Sequence, residues 1–189
     1  MITRIFDCLL PITKCNFECS YCYVMQSHNR TEKYADLKYT PEHIANSLTV
    51  SRLGGECLFV ICGQGETLLQ PEIVMITKRL LENRHYVMLT TNGTVSSVID
   101  ALISEAGDNI KRLCISFSLH YIELKRTGKL DVYFNNIKKI RKAGGSIQCN
   151  IRLCDDYIKI IDEIKERVKD ELGAYPQCKI GRASCRERV

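Results

Sequence analysis

A chain of 189 residues, 45% hydrophobic and 26% charged, has the material for one globular core. Its formal net charge of +5 comes from basic residues scattered among acids, so an anionic small ligand is expected rather than nucleic acid; the densest run, Lys138, Lys139, Arg141 and Lys142, reads as the solvated face of a helix. Asp7, Pro11 and Lys14 break up the early apolar stretch, which excludes a signal peptide, and no run is long enough to span a membrane; a soluble cytoplasmic protein without a membrane partner is expected.

A strand-then-helix rhythm runs along the chain. The first strand is predicted over Phe6–Thr13, and a long polar segment from Tyr23 to Tyr39 follows it; connections of that length in a compact domain are usually functional. Thr40-Pro41 opens a helix, with Thr as cap and Pro in the first turn, and Ile44 and Leu48 follow at helical spacing. The next strand is predicted over Cys57–Cys62. Pro71 then opens a helix carrying Ile73, Ile76 and Leu80 on one face. A strand over Tyr86–Thr91 leads to a helix capped by Ser96 or Ser97 and closed by Gly107. Arg112–Leu119 forms the fourth strand and Asp131–Ala143 its helix, stopped by Gly144-Gly145. Ser146–Leu153 is the fifth strand. Its helix, capped by Asp155 or Asp156, carries Ile158, Ile161, Ile164, Val168 and Leu172 before Gly173.

Five β/α units imply an α/β fold with a parallel sheet and right-handed crossovers. A doubly wound sheet and a barrel both satisfy the pattern. No Gly-x-Gly-x-x-Gly follows the first strand, which counts against a dinucleotide fold. Residues 180–189, Ile-Gly-Arg-Ala-Ser-Cys-Arg-Glu-Arg-Val, equal the forward translation of a common sequencing-adapter oligonucleotide, codon for codon. The expected organisation is a core domain over residues 1–179, incomplete at its C-terminus, with 180–189 as a non-native tail. A barrel short of a strand exposes sheet edges, so poor expression or aggregation is expected.

Eleven cysteines are many, and most sit singly in apolar runs as small buried hydrophobes: Cys8, Cys57, Cys62, Cys114 and Cys149. Cys15, Cys19 and Cys22 differ, lying in one loop after the first strand with the spacing Cys-x3-Cys-x2-Cys. Thiolates suit iron–sulfur clusters and zinc. A closed zinc site wants four ligands, and His28 is the nearest candidate for a fourth. Three thiolates on a four-iron cluster would instead leave one iron without a protein ligand. The loop also follows a strand at the end where β/α barrels build active sites. The cluster is the preferred reading; a structural zinc or iron–sulfur module without radical chemistry is the alternative.

Cys15, Cys19 and Cys22, with aromatic Tyr21 just before the third cysteine, resemble the signature of the radical S-adenosylmethionine (SAM) superfamily. A second resemblance is Gly63-Gln64-Gly65-Glu66 at the end of the second strand, similar to that family's Gly-Gly-Glu-Pro motif, with Gln64 and Thr67 as departures. Thr91-Asn92-Gly93 ends the third strand as in many relatives, and Ser116-Phe117-Ser118-Leu119-His120 ends the fourth.

The resemblance implies a partial (β/α)6 TIM-like barrel, here truncated after about five units. It implies a [4Fe–4S] cluster on Cys15, Cys19 and Cys22, and SAM as second cofactor, chelated at the fourth iron. The reduced cluster would cleave SAM to a 5′-deoxyadenosyl radical that abstracts hydrogen from substrate. By the same resemblance Tyr21 lies near the adenine, Gly65 and Glu66 meet the methionine amine, Asn92 belongs to the site, and Ser118 contacts ribose or carboxylate. Arg152 pairs with the cofactor carboxylate or makes structural bonds inside the barrel. His120 is a candidate substrate contact or a loop residue. A low-potential electron donor such as flavodoxin or ferredoxin is implied as partner. Substrate identity is open, with peptide or protein modification first and carbohydrate second.

Overall fold

The computed structural model describes residues 1–180; of the stretch read as an adapter-derived tail, residues 181–189 lie outside the described residues. Strand β1 (Arg4–Leu10) is followed by short helix α1 (Tyr23–Gln26), then α2 (Pro41–Ser47) and α3 (Val50–Leu53). The remaining order is β2 (Cys57–Gly63), α4 (Ile73–Glu82), β3 (Tyr86–Thr91), α5 (Ser96–Ala106), β4 (Leu113–Ser118), α6 (Tyr121–Arg126), α7 (Leu130–Ala143), β5 (Ser146–Leu153), α8 (Asp155–Ile158), α9 (Ile161–Leu172) and β6 (Gln177–Ile180).

All pairings are parallel, and the sheet runs β1-β2-β3-β4-β5-β6 in sequence order. A doubly wound sheet reverses its strand order at a switch point. This one never reverses, so every crossover lies on the same side, which is the topology of a barrel segment. Among the described residues β1 and β6 do not pair with each other.

Register divides each strand into two faces. Phe59 and Ile61 of β2, Val87 and Leu89 of β3, Leu113, Ile115 and Phe117 of β4, and Ile151 of β5 are buried against the helices. Their partners there include Ile73, Leu80, Ile99, Leu102, Phe134, Ile137, Ile140, Ile164 and Val168. The other face carries Asp7, Cys62, Thr90, Ser118 and Arg152, none of them fully buried. This inner face is where the polar residues of the strands collect. Leu89 has no exposed surface and lies in the middle of the sheet. Leu89→Ala should lower the free energy of unfolding by about 2–5 kcal/mol, read as a lower urea midpoint with an unchanged slope.

The predicted elements are present with shifted ends. Thr40 caps α2 as expected, its hydroxyl accepting from the His43 N–H at 3.2 Å. Helix α5 starts at Ser96 itself, with Val95 rather than a serine in the cap position. Strand β1 stops at Leu10 rather than at Thr13. Pro11 has no N–H to give a ladder, and the Thr13 N–H turns to the Lys33 carbonyl. The last helical pattern is two helices, α8 and α9, with Cys154 rather than Asp155 or Asp156 before the first.

The sheet also holds a strand beyond the five expected. β6 pairs with β5 through Asn150↔Gln177 to Leu153↔Ile180. Its four residues, Gln-Cys-Lys-Ile, carry no apolar run. Such a strand is made by the exposed edge of β5, not by its own pattern.

Candidate functional site

A cavity of about 920 Å3 opens at the C-terminal ends of the strands. Its wall includes all ten residues singled out from the sequence: Cys15, Cys19, Tyr21, Cys22, Gly65, Glu66, Asn92, Ser118, His120 and Arg152. The volume lies in the upper part of the range for small-molecule sites.

The three cysteines share one loop, and local bonds explain its shape. The Cys22 N–H donates to the Cys19 carbonyl at 3.0 Å, closing a turn, and Cys22 then stands at the start of α1. Phe17 anchors the loop in the core at 3% exposure. The Arg30 guanidinium donates to the Cys15 carbonyl at 2.6 Å and the Phe17 carbonyl at 2.9 Å, and pairs with Glu32. From the other side, the Glu123 carboxylate accepts the Glu18 N–H at 3.0 Å and is itself held by Arg126. Arg126 keeps the Glu123 carboxyl below its ordinary range.

Burial pushes the Cys15 thiol up to about 11 and the Cys19 thiol up to about 12. Without metal, both are therefore protonated at neutral pH. A metal that replaces these protons supplies the positive charge the buried sulfurs otherwise lack. Three soft donors on one loop, facing a large cavity, fit an iron–sulfur cluster. His28, which a zinc site would need, is exposed and off the cavity wall. Among the described residues, no three His, Cys, Asp or Glu side chains converge on a point for a single ion.

The Gly63–Glu66 turn packs directly on the cysteine loop. Gly65 N–H donates to the Ile12 carbonyl at 2.7 Å and Glu66 N–H to the Lys14 carbonyl at 2.9 Å. A Cβ at Gly65 would sit 2.8 Å from the Lys14 carbonyl carbon, with the carbonyl oxygen nearer still. In this fold the absent side chain lets two backbones touch.

Glu66 and Asn92 organise the loops. The Glu66 carboxylate accepts from the Thr91 hydroxyl at 2.6 Å, the Asn92 N–H at 2.7 Å and the Leu68 N–H at 2.9 Å. Burial raises its pKa, and these three donors oppose that. The Asn92 side chain donates to Asn16 at 2.7 Å and accepts from Thr94. Together they tie the ends of β2 and β3 to the cysteine loop. A glutamine at position 66 would turn an N–H2 group toward these donors. Glu66→Gln should cost about 1–3 kcal/mol of stability in chemical denaturation.

Ser118 and Arg152 differ. Among the described residues, neither the Ser118 hydroxyl nor the Arg152 guanidinium makes a hydrogen bond or ion pair, and both line the cavity. They are among the polar side chains of the wall left for a ligand, with Ser20, Tyr23, Gln64, Thr90, Asp155 and Asp156. Asn150, one step along the same face, bonds Ser116 at 2.8 Å within the sheet.

His120 lies on the wall, but its Nδ1 faces inward, 2.6 Å from the Tyr21 hydroxyl and 3.5 Å from the Cys19 Sγ. Burial, helped by Arg152, holds the ring down to about 4, so it is neutral at pH 7. Tyr21 also meets the Tyr157 hydroxyl at 2.9 Å. Burial raises the pKa of both tyrosines.

Sequence reasoning missed Arg30, Glu123 and Tyr157. The length of the segment from Tyr23 to Tyr39 flagged its importance, but no local signal distinguishes Arg30 within it. Glu123 and Tyr157 read as ordinary helix residues.

No helix among the described residues is long and apolar enough to cross a membrane. No curated protein matches the chain. Among solved structures, Streptococcus suis SuiB bound to its precursor peptide SuiA is similar with a TM-score of 0.64 at 16% identity, covering 90% of this chain and 37% of that one. Native anSMEcpe with bound AdoMet is similar with a TM-score of 0.68 at 17% identity, covering 92% and 51%. The same enzyme with AdoMet and the Cp18Cys peptide has a TM-score of 0.64 at 16% identity, covering 93% and 50%. The chain thus spans between about a third and a half of the length of these proteins. At this identity the likeness shows the fold. The family model of the radical SAM superfamily matches residues 9–170, most of the chain, and with the three-cysteine loop at the mouth of a six-stranded parallel barrel segment, the chain belongs to the radical SAM superfamily.

Proposed function

We propose that the cavity binds a [4Fe–4S] cluster through Cys15, Cys19 and Cys22, with SAM beside it, and that the protein abstracts hydrogen from a peptide or protein substrate. The observation that carries the reading is the sorting of the cavity wall. Three cysteines of one loop line the cavity, while Ser118 and Arg152 face the same space with their polar groups uncommitted among the described residues. When bound, the reduced cluster supplies the electron that cleaves SAM to a 5′-deoxyadenosyl radical.

The chain's own residues bind and orient. Arg152 offers a fixed cation to the SAM carboxylate, with Ser118 as a hydroxyl partner. The N–H groups of Gly65 and Glu66 are spent on the cysteine loop, so the turn offers its carbonyls to the methionine amine. Glu66 and Asn92 act one step back by holding that turn in place. Tyr21 stands beside the adenine. The peptide assignment draws on SuiB and anSMEcpe, both solved with peptides bound. A low-potential flavodoxin or ferredoxin is the proposed electron source.

Anaerobic reconstitution with iron and sulfide tests the reading. The expected result is about four irons per chain, as a cubane requires, and 5′-deoxyadenosine on addition of SAM and dithionite. Stoichiometric zinc, or no metal, would overturn it. Arg152→Ala should then weaken SAM binding while leaving the iron content unchanged.

A further inference from the structure

Cys19 differs from its two companions in its surroundings. Among the described residues, neither Cys15 nor Cys22 has a side-chain hydrogen-bond donor within reach of its sulfur. Cys19 has His120 Nδ1 at 3.5 Å, and behind it an ordered series: Nδ1 to Tyr21 hydroxyl at 2.6 Å, Tyr21 hydroxyl to Tyr157 hydroxyl at 2.9 Å. The members come from three separate elements, the cysteine loop, the end of β4 and α8. Each is held by packing. The His120 ring meets the Phe17 ring edge-on at 6.1 Å and stacks on Tyr21 at 5.9 Å, and Tyr157 has no exposed surface.

We propose that Tyr157, Tyr21 and His120 together direct one hydrogen bond onto the Cys19 sulfur, and that this bond sets the reduction potential of the cluster. The inference rests on the proposed function above. An iron-bound sulfur has no proton and can only accept. A bare Nδ1 would accept the Tyr21 O–H and leave the sulfur without a donor. With the Tyr21 O–H turned to the Tyr157 oxygen, the Tyr21 oxygen and the sulfur share one Nδ1–H, which puts one donor on Cys19. A sulfur that can only accept favours this second arrangement. Reduction adds one electron to the cluster, supplied by an external reductant such as dithionite, and moves no proton. The added charge strengthens the bond to the sulfur, so the donor favours the reduced state. These three side chains are positioning residues, acting through Cys19.

The test is a potentiometric titration of the reconstituted full chain, followed by electron paramagnetic resonance, with iron content measured on each sample. His120→Phe keeps a ring against Phe17 and Tyr21 but removes the nitrogen. Its midpoint should become more negative by about tenfold in the reduction equilibrium, 59 mV for one electron. His120→Asn places an amide near the Nδ1 position and should restore most of that shift. Tyr157→Phe, lacking a single oxygen, should shift in the same direction by less. A wild-type midpoint in His120→Phe would overturn the proposal, and so would an equal shift in His120→Asn, which would mean packing alone. Should His120→Phe fail to hold iron, Tyr157→Phe decides: a negative shift supports the hydrogen-bond series, and an unchanged midpoint removes it. A wild-type chain that takes up no cubane defeats the proposed function itself. A normal cubane with indifferent midpoints defeats only this inference.

Discussion

Cys19→Ala should leave a folded protein that holds no intact four-iron cluster and forms no 5′-deoxyadenosine. Cys19 is buried at 7% exposure, and alanine fills most of the same apolar space, so the fold should tolerate the change. The cluster should not. With two thiolates remaining, a second iron of the proposed cluster would lose its protein thiolate. Product formation should fall by several orders of magnitude, to the level without protein. The check is iron and sulfide analysis with visible absorption, beside circular dichroism to show that the fold persists. A variant that retains the wild-type iron content and product yield would remove Cys19 from the ligand set. Cys15→Ala and Cys22→Ala should behave alike, since all three cysteines would hold the proposed cluster.

Gly65→Ala should be nearly as damaging, for a different reason. The methyl group is the smallest addition possible, yet here it meets main-chain atoms of Thr13 and Lys14, which cannot rotate away as a side chain can. Either the Gly63–Glu66 turn or the cysteine loop must move. If the turn moves, Glu66 loses its bonds to Thr91 and Asn92. If the loop moves, Cys15, one residue beyond Lys14, shifts with it. Overpacking of this kind typically costs about 1–3 kcal/mol, which the fold can absorb, but an active site is sensitive to displacements of about 1 Å, for which a loss of order 100-fold is typical. The expected result is a stable protein with reduced iron occupancy, SAM binding weakened by at least tenfold, and product formation lowered by about 100-fold. Isothermal titration with SAM on the reconstituted variant measures the second of these. Wild-type affinity and iron content would mean that the two backbones have more room than their contact indicates. Gly54, by contrast, would bring a Cβ into open space, so Gly54→Ala, strained only by its left-handed backbone, should leave iron and SAM binding unchanged.

The two variants mark two ways in which a residue serves this cavity. Cys19, as proposed, would offer an atom to the ligand. Gly65 offers the absence of one, and so allows two loops from different strands to share a wall. Glu66 and Asn92 line the same cavity and tie its loops together. Their polar atoms are consumed by Thr91, Leu68, Asn16 and Thr94. Among the described residues the side-chain polar groups of Ser118 and Arg152 have no such partners, which is why we propose them as SAM contacts.

Much of this was legible in the residues alone. Short apolar strands alternating with amphipathic helices, punctuated by Pro41, Gly107, Gly144 and Gly173, determined an α/β chain with parallel strands, because burial and backbone geometry act locally on those patterns. The spacing of Cys15, Cys19 and Cys22 determined the soft-donor loop, because ligands held by one turn need no distant partner. Three matters were decided only by the tertiary structure. Doubly wound and barrel arrangements share one sequence rhythm; the side on which each crossover packs separates them, and that is a property of the assembled sheet. β6 exists because the β5 edge pairs its backbone, which no pattern in Gln177–Ile180 announces. The roles of Arg30, Glu123, Tyr157 and His120 depend on groups between 13 and 136 residues away in the chain. Such bonds are made between elements, and they come into being only when the strands are side by side.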